Sequence, residues 1–247
     1  KQMAIAGGMM RVCEVGHVYR AEQSNINRYL SEFTGLDIEM ELEGHYHELV
    51  KFLYSILVHM FDTLKSEYSR ELEIIREYRP FEDIKYGRDP VIITHHDAVD
   101  ALRNEGVSIG YAEDFSREQE KILGRIVKEK HGVDMFVVTE YPEDVRAFYT
   151  YVDKKTGRTH SYDIILRGEE VLSGAQRITD YQDLREAIIK RGIALESVQF
   201  YLDCFKFGVP PHGGGGYGLE RILKAYLDFD DIRYFALYPR DPSRLHP

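Results

Sequence analysis

VCEVGHVYRAEQSNINRYLSEFTGLDIEM, residues 12–40, decides the fold. It reads as two period-2 segments joined by a polar connection over residues 23–29 that has neither Gly nor Pro. Successive strand side chains alternate, so Val12, Glu14, Gly16, Val18, Arg20 and Glu22 share one face of the first arm. Cys13, Val15, His17, Tyr19 and Ala21 share the other. Phe33, Asp37 and Glu39 fall on one side of the second arm, which places charge and an aromatic ring on rigid strands. A site of fixed geometry needs such a support. The connection is too long for a two-residue turn, and this predicts a β-hairpin with a functional loop. An amphipathic surface hairpin with a solvated face fits the same letters.

Outward from the hairpin, residues 45–70 carry a 3.6-residue apolar stripe, with Leu49, Leu53, Leu57, Phe61 and Leu64 among it, and predict a long helix packed on a sheet. His47-Glu48-Leu49-Val50-Lys51 starts like a zinc-protease helix, but the final Lys removes the second ligand. A charged connection over 79–90 closes on Pro80 and Pro90 and leads to a helix over 94–104, where His95 and His96 read as surface or capping residues. Another helix covers 116–130, with Ser116 as N-cap and Glu118 and Glu120 complementing the helix dipole. Strands are predicted over 134–139, 146–152, 161–166 and 169–178. Only Arg167-Gly168 separates the last two, which favours antiparallel meanders. Helices over 180–191, 195–205 and 222–227 and a last strand over 234–237 complete one α+β domain, an antiparallel β-sheet flanked by helices.

The 247 residues are 43% hydrophobic and 30% charged, the balance of a globular chain with a full core. No run of 18 apolar residues and no long apolar leader is present, so neither a membrane span nor secretion is predicted. Cys13 and Cys204 have no CxxC spacing and suit reduced thiols in a cytosolic protein. A net charge of -10 argues against a broadly basic nucleic-acid surface. It leaves room for a local patch, since charges are screened beyond about 8 Å, and an anionic ligand must then be met by a few well-placed Arg or Lys. Lys1 stands directly ahead of a strand-like segment with no start signal, and the chain reads as cut from something longer.

Gly213, Gly215 and Gly218 satisfy G-x-G-x-x-G by letter, but too little chain follows for a dinucleotide βαβ unit. Pro210-Pro211 and an immediate helix argue against a flexible linker. The remaining reading is a backbone that approaches a strand or ligand closely and feeds a helix N-terminus that favours anions. Arg221 opposes the dipole of that helix, a placement suited to holding an anion. Asp163 and Glu170 lie on strands joined by a tight turn, with Ser173 beyond them; such oxygens suit Mg²⁺ held through phosphates, or are a pair of solvated strand charges. Arg177 adds a fork-shaped donor for a carboxylate.

Three blocks occur in this order: Tyr19-Arg20-Ala21-Glu22 with Leu30-Ser31-Glu32-Phe33, then GEEVLSGAQR over 168–177, then GGGGYGLER over 213–221. Together they resemble the class II aminoacyl-tRNA synthetases, and most nearly the catalytic domain of the aspartyl-tRNA synthetases of archaeal and eukaryotic cytosolic type. The resemblance covers 1–247. It implies that an N-terminal anticodon-binding OB-fold domain and the first dimer motif lie outside this stretch.

The resemblance implies that Arg20 holds the ATP α-phosphate and the substrate carboxylate, and that Phe33 stacks on adenine. Arg221 would lie on the far side of the base, beside Gly218, Leu219 and Glu220. Glu22 would serve the nucleotide and the tRNA acceptor end. Arg28, Tyr29 and Leu30 would cover the triphosphate, although the family usually has His where this chain has Tyr29. Asp163, Glu170 and Ser173 would place Mg²⁺. Lys1 and Arg177 would grip the side-chain carboxylate of L-aspartate, with Asp37 orienting both and Ser173 nearby, and Ser24 would lie by the acceptor stem. The implied activity is ATP-dependent formation of aspartyl-adenylate and transfer to tRNA(Asp), by a cytoplasmic homodimer. An asparaginyl-tRNA synthetase and a non-catalytic relative are the rival readings.

Overall fold

The computed structural model describes residues 1–21 and 26–246; Glu22 and Ser24 lie outside the described residues. A short helix α1 (Gln2–Ala6) precedes β1 (Arg11–Tyr19) and β2 (Glu32–Glu41), so Lys1 does not lead straight into a strand. Helix α2 (His47–Glu67) is followed by α3 (Ser69–Tyr78), and the predicted helix over 45–70 breaks at Tyr68. Then come β3 (Ile92–Thr94), α4 (His95–Asn104), α5 (Arg117–His131), β4 (Met135–Thr139), β5 (Ser161–Leu166) and β6 (Glu169–Gln176). Helices α6 (Tyr181–Lys190) and α7 (Gln199–Asp203), strand β7 (His212–Gly218) and helix α8 (Leu219–Tyr226) complete the chain.

The strands form one sheet in the order β1-β2-β7-β6-β5-β4-β3. Every neighbouring pair is antiparallel except β3 and β4, which are parallel. The predicted hairpin is the β1–β2 pair, with Gly16 opposite Gly35 and Val18 opposite Phe33.

Period-2 alternation sorts the core. Met135 and Val137 of β4 join the cluster under α2, where Leu49, Leu53, Leu57 and Phe61 are wholly buried. Phe136 and Val138 join the cluster under α4 and α5. This end of the sheet is covered on both faces, and every residue of β4 and β5 is buried. Ser116 caps α5 in a capping box with Gln119, as its position predicts.

Several expectations are corrected. His95 is fully buried between Phe115 and Tyr141, and desolvation lowers its pKa to about 4, so it is a neutral core residue and not a surface one. Residues 146–152 form no strand; only isolated bridges join Thr150 to Arg177 and Val152 to Thr159, because β6 is already paired on both sides by β5 and β7. The predicted helix over 195–205 is broken into 3-10 turns around α7. Residues 234–237 lie in and after a 3-10 turn, Ile232–Phe235, held by Phe235 against Phe229.

The glycine-rich run is a central strand. A Cβ at Gly214 would lie 2.1 Å from the Ile38 carbonyl oxygen, and one at Gly216 would lie 2.8 Å from Oδ1 of Asp37. Only glycine lets β7 lie this close to β2 and its carboxylates.

Candidate active site

Beyond the reach of α4 and α5, the sheet face opposite α2 is open and forms the floor of a cleft of about 670 Å³. That is room for a nucleotide-sized ligand. Register assembles the floor: Asp37 of β2 pairs with Gly216 of β7, which pairs with Ser173 of β6. Phe33, Asp37 and Glu39 recur at the strand period, as do Ser173, Ala175 and Arg177, and all six face the cleft.

At one end two cations are each held by a carboxylate. Arg177 donates from Nε to Oε1 of Glu39 at 2.8 Å and from Nη2 to Oε2 at 3.1 Å, with Tyr149 under its guanidinium at 5.0 Å. Burial would lower its pKa, but Glu39 raises it above the usual value, so the cation is permanent. Lys1 donates to Asp37. The expectation that Asp37 orients both cations is therefore corrected, since Glu39 holds Arg177. Glu39 shares the period-2 face of Asp37, a signal the sequence already carried.

At the other end Arg20 is exposed, and its guanidinium lies 5.1 Å from the centre of the Phe33 ring. No carboxylate among the described residues pairs with it. Arg221 donates from Nη1 to the Glu170 carbonyl at 3.0 Å and to its Oε1 at 3.3 Å, and lies 6.0 Å from the Tyr29 ring centre. Gly218 is the N-cap of α8 and lines the cleft with Tyr29 and Leu30.

Arg28 and Glu220 also line the cleft, but each already has a partner. Arg28 is buried and donates from Nη2 to both oxygens of Glu120, at 3.0 and 2.7 Å, with Glu169 at 3.9 Å from its Nε. Its guanidinium does not lie free over the cleft. Glu169 is in turn bound by Lys224. Burial, reinforced by the charge of Glu170, pushes the Glu120 carboxyl up to about 7 despite Arg28. Glu220 accepts from the backbone N–H of Thr34 at 2.8 and 3.0 Å and so fastens α8 to β2. Leu219 packs on the core and is not on the cleft wall.

The expected Mg²⁺ set is corrected in one member. Both oxygens of Asp163 accept from Arg146, at 3.0 and 2.5 Å, and Asp163 is not on the cleft wall. Among the described residues no group of three or more His, Cys, Asp or Glu side chains could hold a metal ion. Glu170 and Ser173 both line the cleft. Burial and the charge of Asp163 raise the Glu170 pKa, against the lowering effect of Arg221. Those two oxygens fit a cation held mainly through phosphates. Arg146 and Glu120 were missed in the sequence: Glu120 reads as a helix-dipole residue, and no local pattern points from Arg146 to Asp163.

A family model described as tRNA synthetases class II (D, K and N) matches residues 1–242. An Encephalitozoon cuniculi (strain GB-M1) protein named "Probable aspartate--tRNA ligase, cytoplasmic" is 58% identical over 247 residues, covering 100% of this chain and 52% of that protein. The Homo sapiens cytoplasmic aspartate--tRNA ligase is 42% identical over 248 residues, covering 100% of this chain and 50% of that protein. Among solved structures, the aspartyl tRNA synthetase from Entamoeba histolytica superposes with a TM-score of 0.97 at 42% identity, over 100% of this chain and 51% of that one. Asparaginyl-tRNA synthetase from Pyrococcus horikoshii, complexed with asparaginyl-adenylate, gives 0.86 at 28%, over 100% of this chain and 56% of that one. The chain spans about half the length of the relatives it matches.

Proposed function

Because the chain belongs to the class II tRNA synthetases of the D, K and N group, we propose that its cleft activates L-aspartate with ATP and passes the aspartyl group to the 3′ end of tRNA(Asp). One observation carries the choice of amino acid: Lys1 and Arg177 line one end of the cleft, each already paired with its own carboxylate. Such an end offers only N–H donors, which a side-chain carboxylate accepts at both oxygens, whereas an asparagine amide would turn its own NH₂ donor on one of them.

The α-carboxylate of aspartate attacks the α-phosphorus of ATP. A carboxylate–phosphorus bond forms, the bond to the bridging oxygen breaks, and pyrophosphate leaves with the electron pair. Arg20 holds the α-phosphate and the attacking carboxylate together and stabilises the charge that develops there. Phe33 offers its ring to adenine, and Arg221 supplies positive charge at the opposite side of the nucleotide. A ribose hydroxyl of the tRNA end then attacks the aspartyl carbonyl, and AMP leaves. No protein nucleophile is required. Mg²⁺ would be held by Glu170 and Ser173 and would neutralise phosphate charge when bound. Tyr29 keeps its ring beside Arg221, and Glu22 and Ser24 keep the roles that the resemblance gives them.

In this reading the chain is a catalytic domain of 1–247 within a longer cytoplasmic homodimer that carries an anticodon-binding domain ahead of Lys1. Pyrophosphate exchange into ATP, measured on the full-length protein with aspartate and separately with asparagine, tests the proposal. Aspartate-dependent exchange with none from asparagine is expected; exchange driven by asparagine alone would overturn it.

A further inference from the structure

We infer that Arg146 is a positioning residue for adenylate formation, held from behind by Asp163 and in turn fixing the hydroxyl of Ser173. The inference rests on the reading of the cleft as the adenylation site. Asp163 and Ser173 sit opposite each other on β5 and β6. Nη1 of Arg146 bridges them, donating to Oδ1 of Asp163 at 3.0 Å and to Oγ of Ser173 at 3.1 Å, while Nη2 donates to Oδ2 of Asp163 at 2.5 Å. The guanidinium also lies 3.5 Å from the centre of the Tyr141 ring, and the Arg146 carbonyl accepts from Nη2 of Arg191 at 2.7 Å. A planar fork held at both ends and on its face has one orientation.

Arg146 and Ser173 reach the cleft, whereas Asp163 is 3% exposed and does not. Asp163 therefore acts through the guanidinium and not as a direct metal ligand. The Ser173 hydroxyl accepts one hydrogen bond from Arg146 and keeps a second lone pair and its own proton for ligands. The Nε of Arg146 is buried without a hydrogen-bond partner among the described residues. Nothing else in the mechanism uses this cation, although it stands beside Ser173 on the floor where the phosphates and the amino acid meet.

The test uses the full-length protein, with Mn²⁺ as the probe ion followed by electron paramagnetic resonance in the presence of ATP, and pyrophosphate exchange for rates. Asp163→Asn is expected to weaken Mn²⁺ binding by no more than about a hundredfold, the upper range for a neighbour outside the coordination shell. A loss well above about a hundredfold would make Asp163 a ligand and overturn the inference. Arg146→Ala should lower kcat of exchange by about a hundredfold, the scale of a reacting group misplaced by an ångström, with KM for ATP changed much less. Arg146→Lys should restore part of kcat by keeping a cation on Asp163. Wild-type kcat in both variants would overturn the inference. Should Arg146→Ala fold poorly with its buried carboxylate unpaired, Arg146→Ala/Asp163→Asn removes both charges and carries the same kcat expectation. Absence of aspartate-dependent exchange in the wild type would instead count against the reading of the cleft itself.

Discussion

The two ends of the cleft are built differently. At the Lys1–Arg177 end each cation already has its carboxylate, and Arg177 with Glu39 is buried in the floor of the cleft. At the Arg20–Arg28 end one cation is exposed over a ring and the other is buried on Glu120. The first end is set before a ligand arrives, which reduces the cost of ordering side chains on binding. Under the proposed function the second end would be rearranged by the triphosphate, so that selection of the amino acid would rest on the rigid sheet and the chemical step on Arg20.

The harshest way to break this contrast is Arg177→Ala. It strands Glu39 as an unpaired buried charge, and urea denaturation should show a loss of about 3–5 kcal/mol together with lost aspartate binding. A loss near zero would mean that the pair does not organise that end. Arg20→Ala should behave in the opposite way. Pyrophosphate exchange should fall by roughly 10²–10³-fold. Stability should change by less than about 0.5 kcal/mol, because the side chain is exposed.

The buried latch of Arg28 gives a pH signature. The Glu120 carboxyl is raised from 4.5 to about 7, so the folded state holds this proton more tightly than the unfolded chain does. The stability it contributes is full below about 4.5 and is lost as the pH rises through about 7. The total is on the order of 3 kcal/mol. Thermal denaturation from pH 5 to 8 should therefore slope downward in the wild type and flatten in Glu120→Gln; equal slopes would remove the latch from the contrast. The smallest effect is expected for Ser116→Ala, which removes the cap of the helix carrying Glu120 and should cost about 1 kcal/mol with unchanged exchange.

What could be read ahead of the structure divides along the same line. The β1–β2 hairpin, β5, β6, α5 with its cap and α2 carry local periodic signals and formed there, except that β1 ends at Tyr19 and leaves Arg20 off the strand, and that α2 stops at Glu67. Residues 146–152 have strand-forming letters and no strand, because occupancy of both edges of β6 is a tertiary fact. Arg177 was legible as a carboxylate fork, and Glu39 shared the face of Asp37, but which acid held which base depended on register. Arg28 with Glu120 and Arg146 with Asp163 join residues far apart in the chain, and neither pair leaves a local trace. The glycine run reads as a backbone that comes close to a strand and feeds a helix, and it does both: the carbonyl and carboxylates of β2 crowd it, and α8 follows at once.

The most direct measurement is a crystal structure of the full-length protein with a non-hydrolysable aspartyl-adenylate analogue. The expected result has the side-chain carboxylate of the analogue on Lys1 and Arg177, with Asp37 and Glu39 still in place, the base on Phe33, and Arg20 moved from the ring to the phosphate. An analogue that binds with Arg177 pulled away from Glu39, or outside this cleft, would contradict it.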